Sequence, residues 1–250
     1  MPFIQTDRFT LRGYECDASG RLSVPALMNL MQESANRNAT DYGISMADLE
    51  RQGFGWMLMR FRLRMHRYPR YGQTIRLITY PTAVEKYFIH RDFRVEDEAG
   101  TLLADATSVW LVFGIEKRAM VPIPDFIKTL KPPTNTEPLP KLPIKPDFQT
   151  VSFEPTHQKE VEVGWLSIDP NQHVNNVAYV QWLIEATDKE ILQTGELAEI
   201  DLVYRTESHW GDRLQVQSMP ESANTFVHRI VYPESGKDVM LARSQWNVVS

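Results

Sequence analysis

The sequence runs to 250 residues, with 27 lysines and arginines against 32 acids and a formal net charge of −5. That length allows one large or two small domains, and the mild acidity argues against a general nucleic-acid binder. Cys16 is the only cysteine, which excludes an internal disulfide or a cysteine metal cluster and suits a reducing compartment.

Phe3 to Arg12 alternates like a strand, not like a charged-then-apolar leader. With no run of 18 apolar residues either, a soluble cytoplasmic protein without membrane insertion is expected. Glu15-Cys16-Asp17-Ala18-Ser19-Gly20-Arg21 leads to Ser23, a cap, and to Pro25, which opens an apolar helix (Ala26, Leu27, Met28, Leu30, Met31) ending near Gly43. Strands follow over roughly 56–68, 73–82, 86–97 and 101–115, with turn signals such as Asp97-Glu98-Ala99-Gly100 between them. Arg60, Arg62 and Arg64 alternate with Phe61, Leu63 and Met65 and so share a face, read as solvated. Lys131 to Thr150 carries Pro132, Pro133, Pro138, Pro140, Pro143 and Pro146 and reads as a semi-rigid spacer.

The stretch from Asp169 to Glu185 then organises the chain. Asp169, Asn171 and His173 sit two apart, so an extended backbone would turn an acid, an amide and an imidazole to one side. Asn175 or Asn176 can cap the next helix. That helix is apolar nearly all round except for Gln181 and Glu185, four apart on one stripe, and must be buried on most sides. The stretch repeats the opening one at an offset of 152: Asp17 falls on Asp169, Ser19 on Asn171, Arg21 on His173, Ser23 on Asn175 and Glu33 on Glu185. Later positions continue the series. Tyr71-Gly72 answers Trp210-Gly211, His90-Arg91 answers His228-Arg229, and Gly100, Ala106, Ser108 and Trp110 answer Gly236, Ala242, Ser244 and Trp246. An ordered series of this kind indicates an internal duplication. Each half is expected to be a curved antiparallel sheet wrapped around a central helix, an α+β fold. The halves are 1–130 and 151–250, with the spacer 131–150 between them.

Asn-Gln-His-Val-Asn-Asn in the second half, Asn29-Leu30-Met31-Gln32-Glu33-Ser34-Ala35 in the first helix, Arg67-Tyr68-Pro69 and Tyr204-Arg205-Thr206-Glu207-Ser208 together resemble the acyl-acyl-carrier-protein thioesterases, in a bacterial-type form. The resemblance covers nearly the whole chain. It implies a tandem double hot-dog fold, a fatty acyl chain on acyl carrier protein as substrate, and no cofactor. It also brings Glu207 to the site of Asp169, Asn171 and His173. Thioester hydrolysis needs an oriented water, a base and donors for the oxyanion. An ordinary imidazole exchanges protons near neutrality, which makes His173 a candidate base; Glu207 is the candidate to activate water, and Asn171 is expected to hold the water or the carbonyl, with Asp169 orienting Asn171 or the water. Some family members carry a cysteine after the glutamate; here Ser208 stands there, which favours direct attack by water. Strand alternation from Leu202 and Tyr204 puts Glu207 on the wrong side unless the strand ends or bulges first.

The first half lacks this set, with Arg21, Ser19 and Tyr68 in the places of His173, Asn171 and Glu207. It is therefore expected to bury the acyl tail, against Leu27, Met28, Met31 and Trp56. Carrier docking is assigned to Arg60, Arg62 and Arg64, because acyl carrier proteins are acidic. Other readings are hydrolysis of acyl-coenzyme A, a hydroxyacyl dehydratase on the same fold, and a non-catalytic acyl binder. No Walker, Rossmann or zinc signature is present, and the histidines lack metal-ligand spacing. Monomer and homodimer both fit, since hot-dog units work in pairs and two are already fused here.

Overall fold

A computed structural model describes residues 4–128 and 130–248. The chain divides into two compact units, Met1–Leu142 and Pro143–Ser250. The first contains β1 (Gln5–Thr10), α1 (Val24–Asp41), α2 (Met46–Glu50), β2 (Phe54–Met65), β3 (Thr74–Val84), β4 (Phe88–Asp97), β5 (Leu102–Gly114), β6 (Ala119–Val121) and α3 (Asp125–Lys128). Phe3, expected in the first strand, lies outside the described residues. The strands pair antiparallel in the order β1-β3-β4-β5-β2, with β6 folding back on β5. Short turns make this order natural. Asp97 Oδ1 accepts from the N–H groups of Ala99 and Thr101, and Gly100 supplies the positive φ that closes the hairpin. Ser23 Oγ caps α1 by accepting from Ala26 N at 3.3 Å. The helix lies against β1 and β3, burying Leu27, Met28 and Met31.

The second unit contains β7 (His157–Glu162), α4 (Asn176–Glu185), α5 (Lys189–Thr194), β8 (Gly195–Tyr204), β9 (Arg213–Ser222), β10 (Thr225–Val231) and β11 (Asp238–Val248). Its antiparallel order, β7-β9-β10-β11-β8, repeats that of the first unit strand for strand. The α4 helix packs on β9 and β10 through Val177, Val180 and Leu183. Gln181 donates to Glu185 at 3.1 Å along the expected polar stripe. Among the described residues of 131–150, the only helical or strand segment is the short 3-10 turn Asp147–Thr150. This stretch is docked rather than free. Leu139 N donates to Asp92 Oδ2 at 2.7 Å in the first unit, and Phe148 packs against Val203 and Leu241 in the second.

Arg60, Arg62 and Arg64 do share a face of β2, but Arg60 is 0% exposed, which corrects its assignment to a solvated docking surface. Alternation fixes which face a side chain takes; whether that face is covered is a matter of tertiary packing. Arg64 is half-exposed and sits 3.4 Å from Asp105.

The duplicated cores match in side-chain detail. Trp110 Nε1 donates to Ser108 Oγ at 2.9 Å, and Trp246 Nε1 to Ser244 Oγ at 3.0 Å. His228 Nε2 lies 2.7 Å from the same Ser244 oxygen, and burial pushes its pKa down to about 3. Between about pH 6.5 and 3 the unfolded chain therefore binds a proton that the folded one excludes, so stability is lost as pH falls through that window. At pH 5 the expected loss from His228 is about 2 kcal/mol relative to neutral pH. Urea unfolding of wild type and His228→Gln at pH 7 and pH 5 checks this: the variant should lose less on acidification, and equal losses would refute it.

Candidate active site

The second-unit loop from Val163 to Asn175 is folded by its own carboxylate. Ile168 and Val174 face each other across an isolated bridge, and Asp169 N donates to His173 O at 2.8 Å. Inside the turn, Asp169 Oδ1 accepts from Asn171 N at 2.8 Å and His173 N at 3.4 Å, while Oδ2 accepts from Asn171 Nδ2 at 3.2 Å. Gln172 takes a φ of 66° to close it. The extended reading of Asp169 to His173 is thereby corrected. The three side chains come together because a short acid captures the backbone amides ahead of it, not because they alternate along a strand.

Glu207 reaches this loop because β8 ends at Tyr204, so strand alternation no longer governs it. Its Oε2 lies 3.3 Å from His173 Nε2, with both side chains partly open to solvent. The segment that carries it is stitched in place: Val174 N donates to Ser208 O at 2.9 Å, Ser208 N to the Tyr179 hydroxyl at 3.1 Å, and the Tyr232 hydroxyl, 3.2 Å from Glu207 O, shares its one hydrogen chiefly with Asp212 Oδ2 at 2.7 Å. Burial raises the Tyr179 phenol to about 12, keeping it neutral as it accepts from Ser208 N. Ser208 is 0% exposed, which leaves its hydroxyl no approach for a substrate. The His209 ring stands edge-on to His173 at 5.1 Å between centroids. Sequence reasoning passed over Tyr179, His209, Asp212 and Tyr232. His209 directly follows the Tyr204-Arg205-Thr206-Glu207-Ser208 run, whereas the tyrosines arrive from other elements and leave no local signal.

The first unit repeats this framework with other side chains. Asp17 Oδ1 accepts from Ser19 N at 2.8 Å and Arg21 N at 3.0 Å, Asp17 N donates to Arg21 O at 2.7 Å, and Gly20 takes the positive φ that Gln172 takes in the second unit. Leu22 N donates to Pro69 O as Val174 N does to Ser208 O. The Arg21 guanidinium lies over the Tyr68 ring at 5.4 Å, where the second unit has the His173–Glu207 pair. The scaffold persists there without an acid, amide and imidazole set.

Also in the first unit is a cavity of about 210 Å³, with Ala35, Ala39, Trp56, Ile89, Arg91 and Trp110 in its wall. Of the expected tail contacts Trp56 lines it, while Leu27, Met28 and Met31 are buried in the core and not among its wall residues. Space opens one turn further along α1, where Ala35 and Ala39 replace long side chains at an i, i+4 spacing. Among the described residues, no group of three or more His, Cys, Asp or Glu is placed to hold a metal ion. Nor is any described helix long and apolar enough to cross a membrane.

The family model for the acyl-ACP thioesterase N-terminal domain matches residues 4–130, and that for the C-terminal domain matches residues 152–248. A chloroplastic acyl-acyl-carrier-protein hydrolase of Cuphea viscosissima is 28% identical over an alignment covering 98% of this chain and 64% of the relative, so the chain spans less than two thirds of that protein's length. A solved structure from Lactobacillus plantarum, named as an oleoyl thioesterase, superposes with a TM-score of 0.88 at 24% identity, covering 100% of this chain and 98% of its own. An acyl-ACP thioesterase from Bacteroides thetaiotaomicron superposes at 0.83 with 23% identity over 98% of each chain. These likenesses establish the fold as the tandem double hot-dog.

Proposed function

Since this chain belongs to the acyl-ACP thioesterase family, we propose that it hydrolyses the thioester of fatty acyl-acyl carrier protein to free fatty acid and carrier. The observation that carries the proposal is the His173–Glu207 pair at 3.3 Å beside an Asn171 held by Asp169, in the one unit of a duplicated scaffold that keeps these residues. Water held by the pair attacks the thioester carbonyl carbon and gives its proton to the pair. Asn171 uses one amide hydrogen on Asp169 and turns the other to the developing oxyanion. The carbon–sulfur bond then breaks, and the sulfur leaves as a thiolate that takes up the proton; an ordinary thiol pKa of about 8.5 makes it a good leaving group. A cytoplasmic setting fits the free Cys16.

Chain-length selection is assigned to the first-unit cavity. Leucine at Ala35 or Ala39 would fill part of a space of only about 210 Å³. Product analysis with acyl carrier protein substrates of graded length tests both statements. Wild type should release fatty acid from the carrier thioesters in preference to the coenzyme A thioesters, and each leucine variant should discriminate against the longer chains about tenfold more strongly. Cleavage confined to coenzyme A thioesters would sink the first statement. A length shift produced by substitutions at Leu183, and not at Ala35 or Ala39, would sink the second.

A further inference from the structure

The first-unit loops that correspond to the catalytic ones keep the backbone and invert the charge. Residues 12–21 and 66–73 stand where 164–173 and 205–212 stand in the second unit. Even the turn bonds repeat: Gly72 N donates to Leu11 O and Gly211 N to Val163 O, both at 3.0 Å. The first set carries Arg12, Arg21, Arg67 and Arg70 against Glu15 and Asp17; the second carries Arg205 against Asp169, Glu207 and Asp212. Where the first unit has its arginines, the second has Gly164, His173, Thr206 and His209. The second unit holds the same backbone turns without arginines at these places, so the scaffold itself does not require the positive charge.

Both acids of this cluster are already engaged, Glu15 in the interior and Asp17 at the surface of its turn. Glu15 is buried and held by Arg12 at 2.6 Å, while Asp17 spends its oxygens on the loop amides and Arg21. Arg21 and Arg70 face each other across a backbone bridge, and Arg70 Nη1 donates to Ser19 O at 3.3 Å. Two tyrosine rings project among these cations: Tyr14, 77% exposed beneath the Arg12 guanidinium, and Tyr71, 68% exposed beside Gly13. Protruding tyrosines among arginines are the composition of a protein-binding hot spot, not of an enclosed small-anion cradle.

We propose that this degenerate catalytic site is the docking face for the acidic carrier protein that presents the acyl chain. The inference rests on the carrier reading of the function. The charge distribution selects the occupant. A chain of net charge −5 whose catalytic loops are themselves acidic repels an acidic partner, and the inverted loops offer it a basic face. The β2 arginines compete poorly, since Arg60, the first of them, is fully buried.

Binding of apo-acyl carrier protein at low salt, read by fluorescence anisotropy, tests the proposal in the full chain. Arg12→Glu/Arg70→Glu should weaken the wild-type Kd at least about tenfold, with the difference shrinking as salt is added. Tyr14→Ala/Tyr71→Ala should weaken it several-fold at any salt. Both variants should hydrolyse a short acyl-thioester mimic like wild type. An unchanged Kd in both would overturn the docking face, as would loss of binding with Arg62→Glu alone. Equal loss of mimic hydrolysis would also overturn it, by making these residues supports of the fold. A wild type that cleaves acyl-coenzyme A and never acyl carrier protein refutes the carrier reading itself. One that cleaves the carrier substrate while binding survives the charge reversal refutes only this surface.

Discussion

Replacing His173 with alanine is expected to lower turnover about 100-fold or more, and replacing Glu207 to do the same, with the double variant little worse than either. The non-additivity follows from the geometry. In the proposed mechanism the imidazole and the carboxylate, 3.3 Å apart, handle the proton as one unit, so removing either partner disables the other. Asn171→Ala should cost a similar factor through loss of an oxyanion donor. Ser208→Ala should stay near wild type, because its hydroxyl is fully enclosed. Single-turnover kinetics on a short acyl thioester would read these steps without carrier docking. Two independent, multiplying losses at His173 and Glu207 would break the paired mechanism, and an acyl group trapped on Ser208 would replace it with a covalent one.

The duplication was legible in the sequence because several repeated residues perform a task that the fold cannot drop: the turn acid (Asp17, Asp169) and the cap (Ser23, Asn175) hold backbone amides, and a serine accepts from each repeated tryptophan (Ser108, Ser244). The shape of the catalytic loop was misread because alternation presumes strand dihedrals. Gly20 at the place of Gln172 was the available clue, since a glycine in one copy marks the positive φ that both copies adopt. Glu207 required knowing that β8 stops at Tyr204, three residues before it. The buried Arg60 and the displaced cavity were not legible at all. Both depend on what covers a face, and a hydrophobic pattern records only the face's direction. Methionines suggested an adaptable pocket; the space lies instead beside two alanines.

Asp169→Ala should be as damaging to turnover as the loss of His173, although the carboxylate has no place in the proton transfers assigned above. It accepts from the backbone amides of Asn171 and His173 and from the Asn171 side chain, so its removal frees the turn that aims both residues. Asp17→Ala removes the equivalent bonds to Ser19 N and Arg21 N in a loop without catalytic groups. The two variants should therefore lose similar stability, about 0.5–2 kcal/mol each by analogy with a lost cap. On a short acyl thioester only Asp169→Ala should lose about 100-fold or more in kcat, with Asp17→Ala within a few-fold of wild type. Asp169→Asn separates the two duties. Its amide oxygen can still accept from the backbone N–H groups, but its Nδ2 cannot accept from Asn171, so the loop should survive while Asn171 loses its orientation. An intermediate kcat with near-native thermal stability is the expected result. If Asp169→Asn matches wild type in rate, the carboxylate serves the turn alone, and Asn171 is aimed by the backbone.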